Sequence, residues 1–89
     1  MVVMITGQFN SESGRGIAGI IVELYFNNVK LQQYITGPTG RFKFQVEPGT
    51  YILKTFSTGG AINPFRARIE ATADVNIGII TLGRATLLG

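Results

Sequence analysis

The chain has 89 residues, of which 45% are hydrophobic, so it is long enough for one domain and too apolar to be disordered. It contains no cysteine and no histidine, which excludes disulfides, thiolate zinc sites and most of the usual general bases. Its net charge of +3 is small, and the basic residues are scattered rather than grouped as in a nucleic-acid patch. No stretch approaches the ~18 apolar residues of a membrane span. We therefore expect no enzyme, no cofactor, no metal, no nucleic acid and no membrane.

The first part of the chain predicts three strands joined by polar turns. Residues 2–9 form the first strand, and residues 20–26 form the second, with apolar residues at alternate positions. The Gly-rich residues 10–16 between them are typical of a turn. Residues 27–28 are both Asn, which tolerates positive φ and predicts a tight hairpin. The third strand, residues 30–36, has mixed polarity, which indicates the edge of a sheet.

The next two strands follow Pro/Gly turns. Pro38 fixes φ at the first corner of one turn, and Gly40 closes that turn with positive φ. Residues 41–46 then alternate between charged or polar and apolar side chains, which is the period of a half-buried strand. Residues 47–49, Glu-Pro-Gly, predict a type II turn, after which residues 51–56 run back.

The last part of the chain completes an all-β pattern. Residues 57–64 form a loop, residues 65–71 a sixth strand, and residues 75–82 a seventh. The alternation shifts by one at residues 78–79, which predicts a β-bulge. Seven short strands at this spacing indicate a single antiparallel β-sandwich, transthyretin- or Ig-like, over the whole chain, with residues 83–89 as an extended tail.

Four aromatic residues allow two interpretations. A platform that binds a sugar or a base is one, and core packing between strands is the other. We favour the core interpretation because the residues alternate along predicted strands. They are Phe42, Phe44, Tyr51 and Phe56.

Short motifs along nearly the whole chain resemble the carboxypeptidase regulatory-like family of β-sandwiches, also described as transthyretin-like or Cna-B-like. The family combines a P-L-A-G-A-x-V strand, a T-x-x-x-G-x-F motif and an L-x-P-G-x-Y turn, and Ile17 stands in place of the first proline. The resemblance implies the same sandwich fold and a non-catalytic accessory, adhesion or scaffold role. The matching positions are Gly19, Val22, Gly40, Phe42, Pro48, Gly49 and Tyr51.

A narrower resemblance links the chain to the N-terminal domain of tailed-phage tail fibres. Residues 4–7, 40–42 and 46–51 carry it, as a short opening strand and a later G-R-F and V-E-P-G-T-Y pair of motifs. This resemblance implies a virion. The opening residues lack the basic start and long apolar run of a signal peptide, and a virion protein assembled in the host cytoplasm needs none.

Two groups of residues are candidates for docking to another protein. Outward-facing Arg and Lys on two strands form either a basic face for an acidic partner or an ordinary solvated face. Apolar residues at both termini are buried either against a neighbouring chain or within the domain. The basic group is Arg41, Lys43, Arg66 and Arg68, and the apolar group is Val2, Val3, Met4, Leu87 and Leu88.

The sequence therefore favours a non-catalytic structural module that holds one protein surface to another. The acids Glu47, Glu70 and Asp74 do not have the spacing of a catalytic pair. Together with the resemblance, this predicts a virion structural protein, for capsid decoration or cement or for tail-fibre attachment. We expect its partners to be other virion or scaffold proteins, and we expect a homo-oligomer or a docked subunit. The alternative is an extracellular carbohydrate- or peptide-binding accessory domain of a longer chain.

Overall fold

The computed structural model describes residues 1–85 and shows two packed β-sheets. One sheet has the strand order β4-β1-β7 and the other β3-β2-β5-β6. Neighbouring strands are antiparallel except for the parallel pair β1 and β7. The predicted all-β sandwich is confirmed. Its strands are β1 Val3–Asn10, β2 Ile20–Phe26, β3 Val29–Ile35, β4 Arg41–Val46, β5 Gly49–Ser57, β6 Phe65–Ala71 and β7 Val75–Thr81. Residues 1–85 contain no helix long and apolar enough to cross a bilayer.

The core lies between the two sheets and is built by the alternating apolar residues that the sequence predicts. On β1, Val3, Ile5 and Phe9 point inward and are almost fully buried. On β4, Phe42 and Phe44 point inward in the same way. Burying each of these side chains contributes roughly 1.5–3 kcal/mol, so the two inner faces carry most of the stability.

Two of the predicted turns are confirmed by backbone geometry. Asn27 and Asn28 both adopt positive φ, 49° and 64°, and join β2 to β3 in a two-residue hairpin. Gly40 has φ 74°, and its N–H donates to Gly37 O at 2.9 Å to close the turn before β4. A Cβ at Gly40 would lie 2.1 Å from the carbonyl oxygen of Phe9, so only glycine fits there.

The prediction of a type II turn at residues 47–49 is wrong. β4 and β5 lie in different sheets, so the chain crosses from one layer to the other instead of forming a hairpin. Gly49 begins β5 and does not adopt the positive φ of a type II turn. The crossing is held instead by Tyr51, whose buried phenol donates to the carbonyl oxygen of Glu47.

Residues 1–85 contain two β-bulges, of which one was predicted. Between Thr6 and Gln8 the register with β7 shifts, and Gly78 adopts φ 87° at that point, so the predicted bulge is confirmed. A second shift lies between β2 and β3, where Leu31 is the extra residue. This bulge was not predicted, and it turns Leu31 away from the regular alternation of β3.

Residues 83–85 are the part of the predicted tail that the structure describes. They pair with the β5–β6 loop: Asn63 N–H donates to Gly83 O, and Ala85 N–H donates to Ala61 O, both at 2.9 Å. Leu82, just before them, is buried in the core. This end of the sandwich is therefore closed by a chain segment that follows the last strand.

Candidate functional site

The surface of β3 is the most unusual feature of the molecule, because all seven of its residues are exposed. In the part of the chain that the structure describes, β3 lies at the edge of the four-stranded sheet and pairs only with β2. Nine large hydrophobic residues are exposed within residues 1–85, and five of them lie on the β2–β3 hairpin. We call these five the open edge; they are Phe26, Val29, Leu31, Tyr34 and Ile35. A concentration of exposed apolar residues on one hairpin marks an interaction site more often than scattered ones do.

A cleft runs along one side of the open edge. It encloses about 460 Å³ and lies between β3 and the chain that crosses from β4 to β5. The bulge directs Leu31 into this cleft, and the Phe26 ring packs 5.5 Å from the ring of Tyr51 at its floor. The lining residues are Phe26, Leu31, Gln32, Gln45, Val46, Glu47, Pro48 and Tyr51. The cleft thus offers a site with both apolar and polar walls next to an edge strand.

The opposite sheet covers the open edge only in part. Tyr34 makes an edge-to-face contact with Phe44 of β4, with ring centroids 6.4 Å apart. Gln32 Nε2 donates to the backbone carbonyl of Gln45 at 2.8 Å, which occupies an acceptor on the free side of β4. Tyr34 nevertheless remains 39% exposed. The edge of the four-stranded sheet is therefore accessible while the edge of β4 is partly capped.

The charged residues near the open edge are paired with one another. Lys30 Nζ lies 3.2 Å from Glu23 Oε2 and donates to Gln33 Oε1 at 3.0 Å. The hydroxyl of Tyr25 donates to Glu23 Oε1 at 2.9 Å, and this hydrogen bond to the carboxylate raises the pKa of Tyr25 above its usual value. Lys54 lies 4.5 Å from the centre of the Tyr25 ring. The group of two Lys and one Glu therefore has a net charge of +1, and each of its charged side chains already has a contact within the domain.

The predicted basic face is not a single surface. Arg41 and Lys43 lie on β4 and point outward from the three-stranded sheet, since their neighbours Phe42 and Phe44 point into the core. Arg66 and Arg68 lie on β6 and point outward from the other sheet. The two pairs therefore lie on opposite outer faces of the sandwich, because their strands belong to different sheets. One flat partner cannot contact both.

The apolar N-terminal residues have three different environments. Val3 is only 3% exposed and belongs to the core, so of the two alternatives it is buried within the domain and is corrected as a docking candidate: the start of β1 lies between the sheets. Met4 is half-buried, and its backbone N–H donates to Asp74 Oδ1 at 2.9 Å. Val2 is 63% exposed and available to a partner. Leu87 and Leu88 lie outside the described residues.

The exposed aromatic residues do not form one platform. Phe42, Phe44 and Tyr51 are buried in the core as predicted, but Phe56 is 42% exposed, because β5 presents its even-numbered residues to the outer face. Phe26 is on the opposite side of the same sheet from Phe56, since it follows the inward alternation of β2. Phe26 and Phe56 therefore cannot stack together on one sugar chain.

The acidic residues considered above are separated and serve other contacts. Asp74 accepts the hydrogen bond from Met4, and Glu70 lies 3.6 Å from Arg68 on the surface of β6. Glu47 lies at the sheet crossing, where its carbonyl accepts from Tyr51. Among residues 1–85, no three acidic side chains converge as a metal site would require.

Together, the fold and the open edge define a small β-sandwich domain with one accessible edge strand. No protein-family model and no curated protein matches the chain. Among solved structures, it is similar to a DUF3823 family protein from Parabacteroides merdae, with a TM-score of 0.63 and 16% sequence identity. The match covers 93% of this chain and 45% of that chain, so this chain spans less than half of the other's length. The likeness supports the β-sandwich fold.

Proposed function

We propose that this domain is a non-catalytic docking module that binds a partner protein through its open edge. One observation carries the proposal: five of the nine exposed large hydrophobic residues of the described chain lie on one hairpin. Val29, Leu31 and Ile35 are each at least half exposed, at 60%, 50% and 57%. Covering side chains of this size contributes roughly 25 cal/mol per Å² of apolar surface, so this edge gains more from a partner than any other strand.

The setting that we propose is a virion, where the domain would act in capsid decoration or in tail-fibre attachment. One resemblance supports this setting: residues 4–7, 40–42 and 46–51 are similar to phage tail-fibre N-terminal domains. The motifs that resemble carboxypeptidase regulatory-like sandwiches support the broader role of a scaffold or accessory module. A rigid sandwich with one accessible edge suits such work, because it fixes the geometry of a contact without moving parts. The partner would then be another virion or scaffold protein.

An extracellular accessory domain that binds peptides is the second candidate. The cleft of about 460 Å³ beside β3 favours it, since an extended peptide can add to an edge strand and place side chains in a neighbouring cleft. Carbohydrate binding has less support, because Phe26 and Phe56 lie on opposite sides of their sheet. Both candidates use the open edge, and the identity of the partner distinguishes them.

Photo-crosslinking in the cell that naturally produces the protein tests the proposal. A benzophenone amino acid at position 31 should form a covalent adduct with one defined protein, which mass spectrometry would identify. The matched control carries the same group in place of Ile79, which is 66% exposed but lies on β7. An adduct from position 31 alone supports docking at the open edge, and a virion or secreted partner then selects the setting. Equal adducts from both positions, or none from position 31, would refute the proposal.

A further inference from the structure

The geometry points to a second copy of this chain as the occupant of the open edge, with β3 of one copy pairing antiparallel to β3 of the other. This inference rests on the proposed docking function and names its partner. The result would be a two-fold dimer in which the four-stranded sheets join into one eight-stranded sheet. Three features of the structure carry the inference: the direction of the free backbone groups, the state of the other three edges, and the charges beside β3.

The backbone hydrogen bonds show which groups of β3 are free to pair. Thr36, directly after β3, uses both of its backbone groups toward β2: its N–H donates to Ile20 O at 3.0 Å, and its carbonyl accepts from Gly19 N–H at 2.8 Å. Backbone groups alternate in direction along a strand, so those of Ile35 and Gln33 point away from β2. A two-fold axis at Gln33 uses these groups: the backbone N–H and carbonyl of each Gln33 exchange hydrogen bonds with those of its copy.

The other three sheet edges are less suited to pairing. On β4, the side chain of Gln32 occupies the carbonyl of Gln45. β6 follows Pro64 and presents charged residues at 66, 68 and 70, a pattern that discourages edge pairing. On β7 the bulge at Gly78 breaks the regular strand. β3 also has a bulge, at Leu31, but residues 32–35 after it are regular.

Charge favours a like partner at this edge. Lys30 is the only charged residue of β3, and Glu23 of the neighbouring strand already pairs with it at 3.2 Å. Two copies of β3 can therefore approach without bringing unpaired like charges together. Because β3 would pair only with β3, the contact is isologous and closes at two copies instead of growing into a fibre.

A cysteine-free chain allows a direct test of this register. In Gln33→Cys, two thiols would face each other across the two-fold axis, at about 5.5 Å between Cα atoms, which is within disulfide range. We expect mild oxidation to give a covalent dimer. The matched control, Arg68→Cys on the exposed β6 edge, should remain monomeric under the same conditions. Adding Leu31→Asp to Gln33→Cys should abolish the dimer, while circular dichroism reports an unchanged fold.

Light scattering after size-exclusion chromatography, across a concentration series of the unmodified chain, completes the test. A dimer that Leu31→Asp converts to a monomer supports the inference. A monomer at every concentration, or equal oxidation of the Gln33→Cys and Arg68→Cys variants, would overturn it. Photo-crosslinking from position 31 then separates the two proposals: an adduct with a second copy supports both, an adduct with a different protein keeps only the docking function, and no adduct removes both.

Discussion

β1 and β3 are strands of similar length with opposite environments. β1 lies between two neighbours, β4 and β7, and β3 has one neighbour. The same residue type shows the difference: Val3 of β1 is 3% exposed, and Val29 of β3 is 60% exposed. The position of a strand within the sandwich, more than its composition, thus decides whether an apolar residue supports the fold or remains available to a partner. We therefore call β1 and its two neighbours the scaffold, in contrast to the open edge on β3.

Truncating the centre of the scaffold should have the largest effect. Phe9 is completely buried and packs on the rings of Phe42 and Phe65, with centroids 5.3 and 5.9 Å away. We expect Phe9→Ala to lower the free energy of unfolding by about 3–5 kcal/mol, enough to unfold a marginal domain of this size. Urea denaturation followed by circular dichroism measures this. A loss below about 1 kcal/mol would contradict the assignment of Phe9 to the core.

Two glycines with positive φ should respond differently to alanine. In Gly40→Ala the new Cβ meets a backbone oxygen at 2.1 Å in addition to the unfavourable φ, so we expect a loss of about 2–4 kcal/mol. In Gly78→Ala the new Cβ meets nothing within 4 Å, so only the cost of φ remains, about 1–2 kcal/mol. Thermal or urea unfolding of both variants measures the difference. Equal losses would show that the close approach of Gly40 to β1 adds nothing to the cost of the substitution.

Val3 and Val29 allow the scaffold and the open edge to be compared directly. Val3→Ala removes two buried methyl groups and should cost about 2 kcal/mol. Val29→Ala removes the same groups from an exposed site and should change the free energy of unfolding by no more than about 0.5 kcal/mol. The measurement is urea unfolding at a protein concentration where the chain is monomeric. If both variants lose the same stability, the distinction between the two strands fails.

The sheet crossing should show a smaller, pH-dependent effect. The phenol of Tyr51 donates to Glu47 O, so Tyr51→Phe should cost about 0.5–1.5 kcal/mol at neutral pH. Burial, with a smaller contribution from the charge of Glu47, raises the pKa of Tyr51 above its usual value of about 10. The neutral phenol is therefore the form that the fold favours.

The sign of the pH dependence follows from that raised pKa. The contribution of Tyr51 to stability is fully present below pH ~10, where the unfolded phenol is also neutral, and it is lost as the pH rises through the folded value. The free energy of unfolding should fall more steeply with rising alkaline pH for the unmodified chain than for Tyr51→Phe. Parallel curves would contradict this role for Tyr51.

Much of the fold could be predicted from the sequence because it depends on local chemistry. The hairpin at Asn27 and Asn28 and the turn at Gly40 follow from which residues tolerate positive φ, and the buried faces follow from period-two alternation. The assignment of β4 and β5 to different sheets could not be predicted, because a Pro-Gly pair such as 48–49 is compatible with a hairpin and with a crossing between sheets.

The candidate site was harder to predict because exposure depends on which strands become neighbours. The mixed polarity of β3 predicted an edge, but it did not show that Val29, Leu31 and Ile35 would all remain uncovered. One signal was available: apolar residues at 29, 31, 34 and 35 break the alternation of a regular strand. The bulge at Leu31 is the structural cause of that break, and it also turns Leu31 into the cleft.

Amide hydrogen exchange, measured residue by residue by NMR at low and high protein concentration, tests the central claim most directly. In dilute solution, the outward amides of Gln33 and Ile35 should exchange quickly and that of Ile5 on β1 slowly. As the concentration rises, the Gln33 and Ile35 amides should become protected while Ile5 does not change. If both β3 amides exchange quickly at every concentration, the pairing of the open edge with a second copy is contradicted.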